Sequence, residues 1–90
     1  MNKTQTVTAL WDLRSGETAW VTGFDAALSA SYQGRMMEFG FQPGTRVQCQ
    51  LTPGFGAPRV YAISNSVFSL DREIARSVHV SRVEPAEVGA

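Results

Sequence analysis

The sequence is short of the side chains from which reactive centres are usually built. It has one Cys and one His in 90 residues. A single Cys excludes an intramolecular disulfide and a Cys-rich zinc site, and a single His excludes a multi-His metal cage. Charge of one sign is missing too, because eight Lys and Arg balance eight Asp and Glu. That leaves no basic excess of the kind non-specific nucleic-acid binding relies on, so no nucleic-acid partner is expected. Long apolar runs are absent. The longest, Val60-Tyr61-Ala62-Ile63, is four residues, against roughly 20 for a membrane span. Met1–Thr8 reads MNKTQTVT and has no apolar leader core. The expectation is a cytoplasmic protein of a reducing compartment with no direct membrane insertion.

What is present describes one small domain. With 43% hydrophobic and 18% charged residues the chain is globular, not disordered. At this length the domain buries only about 60–65% of its unfolded surface, so the core is thin. The polar start and the acidic, Pro-bearing end EPAEVGA suggest a flexible N-terminus at residues 1–9 and a disordered tail at 84–90. The folded domain is then expected at residues 10–83.

Periodicity fills that span with short elements. Leu10–Leu13 reads as a turn or strand, and Glu17–Phe24 alternates as a strand with Gly23 marking a bulge or bend. Ser29–Phe39 reads as a helix. Ser29 or Ser31 caps it, Tyr32, Met36 and Phe39 with Met37 form an apolar stripe facing the core, and Gly40 stops it. Gln42-Pro43-Gly44-Thr45 is a turn. In Arg46–Leu51, Val47, Cys49 and Leu51 point one way and the polar residues the other. Arg59–Ser64 completes a hairpin with it. Val67–Leu70 is a short strand, Asp71–Arg76 has room for one helical turn, and Ser77–Val83 alternates again. About five short strands with one or two short helices predict an all-β fold, a small closed barrel whose closure would remove exposed edges.

Catalytic constellations are missing. His79 is flanked by inward-facing Val78 and Val80, so it faces outward, and Cys49 packs as a small hydrophobe with an unreactive thiol. Asp71 and Glu73 are two apart and share no helix face; capping suits them better. No phosphate-cradling Gly motif occurs. Neither an enzyme, a cofactor nor a metal site is expected. The surface offers more. Phe55 sits at a loop tip between Gly54 and Gly56, inside Pro53 and Pro58. Such an aromatic either folds back over the barrel mouth or meets a partner. Trp20 is expected to close a barrel end. Hydrophobic tips on a thin core also favour weak homo-oligomer formation.

The same segments resemble the FeoA family. The matching residues are Leu10-x-x-Leu13-x-x-Gly16-Glu17, then Gly34-Arg35-Met36-Met37-Glu38-Phe39-Gly40-Phe41-x-Pro43-Gly44. They continue through Val47, Pro53-x-x-Gly56-x-Pro58, Leu70, Glu73-Ile74-Ala75 and Val78-x-Val80. Ala57 stands where the family usually has Asp, and Asp71 where Arg commonly follows the Leu. The resemblance implies an SH3-like barrel and a non-enzymatic accessory protein of bacterial ferrous iron uptake. It also implies a partner, the cytoplasmic region of a FeoB-type membrane GTPase transporter. With the stiff aromatic tip, it suggests Arg35, Pro53, Gly54, Phe55, Gly56, Pro58 and Arg59 as protein-binding residues. A second expectation is a regulatory interaction module related to the SH3-like C-terminal domain of iron-dependent repressors.

Overall fold

Alternating strands and a single capped helix appear close to where the periodicity puts them. A computed structural model describes residues 7–84; the expected loose ends at 1–6 and 85–90 lie outside the described residues. In chain order the elements are β1 (Thr8–Ala9), a 3-10 turn (Leu10–Asp12), β2 (Thr18–Phe24), α1 (Ala30–Phe39) and β3 (Arg46–Leu51). There follow β4 (Arg59–Ile63), β5 (Ser66–Leu70), α2 (Arg72–Arg76) and β6 (Val78–Ser81). The strands form one antiparallel sheet in the order β1-β6-β2-β3-β4-β5.

β2 makes the corner of this sheet. Thr18–Trp20 pair with β3, whereas Trp20–Phe24 pair with β6, and the register shifts between Val21 and Gly23. The bulge expected at Gly23 is therefore where the strand changes partners, because an extra residue bends a strand and increases its twist. Ala19 and Val21 from β2, Val47 and Cys49 from β3, and Tyr61 and Ile63 from β4 meet in the core. Val78 and Val80 of β6 join them, with Leu10, Leu13, Phe41, Met36 and Ala75 closing the cluster.

Several expectations need correcting. Among the described residues the sheet has six strands where about five were expected, because Thr8 and Ala9, expected in the flexible N-terminus, pair with Val80 and His79. It is also not closed by a ladder: β1 and β5 are both edges. β1 is only two residues long before the chain turns into the 3-10 segment, and it pairs with β6 alone. Side chains of β4 bridge the gap instead. Arg59 donates to the Trp11 carbonyl, and the Tyr61 hydroxyl lies 3.4 Å from the Leu10 carbonyl. Trp20 does not close a barrel end. It alternates with buried Ala19 and Val21, stays half-buried and is no part of the core cluster.

α1 is held at its ends. The Ser29 hydroxyl accepts from the Tyr32 N–H at 3.1 Å, one of the otherwise orphaned donors of the first turn. Gly40 lies at φ 118°. Its N–H donates to Met37 O and that of Phe41 to Met36 O, a Schellman ending. The stripe behind it was expected to face the core, yet only Met36 enters. Tyr32 and Phe39 are each 42% exposed and Met37 is 39% exposed. The helix meets the sheet with its last turn, through Met36 and the Phe39 ring stacked 5.1 Å from that of Phe68.

Candidate interaction site

The hairpin between β3 and β4 changes character halfway along. Its lower half is core: Val47 faces Ile63 and Cys49 faces Tyr61, all four buried. The register then shifts between Cys49 and Leu51. The extra residue ends the alternation, so Leu51, expected on the same face as Cys49, is instead 57% exposed. Leu51 is the surface residue that periodicity missed. Pro53, which cannot donate to a ladder, is the signal that the strand pattern lapses here.

Beyond Leu51 the loop folds on itself. The Ala57 N–H donates to Gly54 O at 3.3 Å, and Phe55 and Gly56 between them have φ of 63° and 72°. Two positive φ values in a row are the pattern of a type I′ turn, which favours Gly, Asn or Asp. Holding a Phe at the first of them costs about 1–2 kcal/mol. The Phe55 side chain makes no return on that cost inside the fold. It is fully exposed, so it does not fold back over the barrel mouth. Pro53, Gly54, Gly56 and Pro58 are exposed around it. Phe55 and Leu51 thus give one hairpin end an apolar surface, on a backbone that two prolines and a tight turn stiffen.

Arg59 and Arg35 do not join this tip. The Arg59 guanidinium lies 3.8 Å over the Trp11 ring and its Nε is buried without a hydrogen-bond partner. Its place is the seam between β4 and the 3-10 turn. Arg35 is exposed on α1. The end of that helix abuts Ser64, where a Cβ at Gly40 would come 2.9 Å from the hydroxyl. Ser64 follows Ile63, the far end of β4, and Ile63 itself is about 13 Å from Arg59 at ~3.3 Å per residue. The end of the helix that carries Arg35 and the seam that holds Arg59 thus lie at opposite ends of β4.

No reactive arrangement appears among the described residues. Burial pushes the Cys49 thiol up, against a smaller opposing pull from Arg59. It is therefore the neutral thiol that sits in the core. His79 Nε2 is 3.7 Å from Asp25 Oδ1 on the outer face, and no three His, Cys, Asp or Glu side chains converge. Asp71 caps α2 by accepting from the Ile74 N–H at 3.0 Å. Glu17 meets the Arg82 Nε at 2.8 Å, and that bond is the main reason its carboxyl stays below the usual range.

Comparison with known proteins fits this shape. No curated protein matches the chain by sequence. Among solved structures, FeoA from Stenotrophomonas maltophilia, in complex with zinc, superposes with a TM-score of 0.75 at 23% identity. That match covers 86% of this chain and 93% of the other, which is described as an SH3 domain protein. FeoA from Chlorobium tepidum gives 0.75 at 21% identity, covering 91% of this chain and 76% of its own. A manganese-dependent transcriptional repressor gives 0.72 at 19% identity, over 88% of this chain and 43% of the repressor. The fold is accordingly SH3-like, with its sheet left open. The FeoA domain profile matches residues 8–82, from β1 to just past β6. On that match the chain belongs to the FeoA family.

Proposed function

We propose that this protein is a non-enzymatic accessory of ferrous iron uptake that acts in the cytoplasm. It docks on the cytoplasmic region of a FeoB-type GTPase transporter and modulates transport. The family match over residues 8–82 carries this reading. The Stenotrophomonas maltophilia relative, described as a candidate ferrous iron transport activating factor, points the same way.

For the contact itself, the β3–β4 tip is the surface proposed. Phe55 is fully exposed and Leu51 57% exposed, an apolar pair that water solvates poorly. Exposed aromatics on a stiff backbone bind with little loss of conformational freedom. Pro53, Gly54, Gly56 and Pro58 shape the tip. Arg35 and Arg59 contribute charge only if the partner also reaches α1 and the seam at Trp11.

Calorimetry against the isolated cytoplasmic region of the transporter tests both parts. Wild type should bind, and Phe55→Ala should bind about tenfold more weakly while folding normally. Absence of wild-type binding removes the function, whereas an unaffected Phe55→Ala removes only the site. The second reading, a regulatory module acting in trans, draws on the likeness to the repressor domain. A repressor reading frame beside this one, in place of a transporter frame, would favour it.

A further inference from the structure

We infer that β5 is the interface of a symmetric dimer, in which two copies of this chain join their sheets edge to edge. The reasoning starts from what β5 is missing. It is the last strand of the sheet, and among the described residues its backbone bonds only to β4. An edge of this kind is a template for a further strand, and proteins normally blunt it with charge, proline, a bulge or brevity. β5 has none of these. Its sequence, Ser66-Val67-Phe68-Ser69-Leu70, carries no charge, Pro or Gly. Its five residues pair with β4 in unbroken register. The opposite edge, β1, is two residues long and so is protected by brevity.

The occupant that suits this edge is a second β5. Two antiparallel copies related by a two-fold axis through Phe68 set Val67 against Ser69 of the other copy, and Ser66 against Leu70. All five residues are then paired. On one face of the joined sheet Val67, 60% exposed, would be covered together with exposed Ser69. On the other face Phe68 meets its own counterpart beside Phe39, which stacks on it and is 42% exposed. Of these pairs, the directly opposed Phe68 rings are of the aromatic kind that stabilises antiparallel sheets. Charge agrees as well. With eight positive and eight negative side chains, two copies meet without net repulsion. The strand also offers no charge by which a foreign segment would be selected. This interface is separate from the Phe55 tip and independent of the transporter reading.

Sedimentation velocity on the full chain, from micromolar to about 1 mM, is the test. Wild type should move from the mass of one chain to that of two as concentration rises. Val67→Lys should stay at one chain while keeping the wild-type circular dichroism, and Ser69→Lys serves if that variant fails to fold. Register gives a sharper readout. Ser69→Glu mixed with Val67→Lys should restore a dimer, because the two new charges face each other across the axis. A wild type that remains one chain throughout overturns the proposal and leaves the edge to a strand from another protein. Dimerisation of Val67→Lys at the wild-type concentration, or no rescue in the mixture, overturns it equally.

Discussion

Two aromatic residues of this domain stand at opposite extremes. Tyr61 is wholly buried, with its hydroxyl near the Leu10 carbonyl. Phe55 is wholly exposed on strained backbone. For Tyr61, burial pushes the phenol well above its usual range. The folded state therefore keeps a proton that the unfolded chain releases near pH 10, and stability falls as pH rises past that point. Tyr61→Phe should cost up to about 1 kcal/mol at neutral pH. It should also flatten the alkaline limb of stability, as followed by urea unfolding between about pH 8 and 11. The sequence places Phe55 at a loop tip but leaves two destinies for it. Only the turn, with its paired positive φ values, decides for solvent. Arg59 went the other way, since nothing in the local sequence signals that Trp11, 48 positions away, would take up its guanidinium.

Among the elements, those fixed by local chemistry were legible and those fixed by docking were not. The capped start of α1, its Gly40 stop, the Pro43-Gly44 turn and the capping role of Asp71 depend on neighbours a few residues away. The orientation of α1 depends on where its last turn lands. That is why a stripe with good helical spacing delivers only Met36 to the core. In β3 the alternation holds through Val47 and Cys49 and fails at Leu51, because one extra residue resets every side chain beyond it. Gly40 is where local and tertiary demands meet. Gly40→Ala forces a side chain into a left-handed conformation and against the Ser64 hydroxyl, only 2.9 Å away. It should destabilise the domain by about 1–2 kcal/mol, read as a lower urea midpoint at unchanged slope.

At the scale of the whole molecule, side chains join residues far apart in the chain at several points outside the strand ladders. One is the exposed pair between Glu17, just before β2, and Arg82, just after β6. Because Arg82 lowers the Glu17 pKa from its ordinary 4.5, the unfolded chain takes up that proton before the folded one does. Stability should therefore decline as pH falls below about 4.5, and Glu17→Gln should show a shallower decline in thermal melts at low salt. The fold class was readable from the count and length of the strands. The open sheet was not, because it turns on β1 ending after two residues. That opening has its own consequence. A continuous ladder must break several rungs before water reaches its interior, but here two side chains on β4 act as the clasp. Releasing them would break no inter-strand bond, and the packing of Leu10 and Leu13 in the core is what then holds that side. Cys49, paired with Tyr61 in the hairpin, lies directly behind that clasp. The chain's one thiol thus sits behind side chains on that side, not behind a ladder.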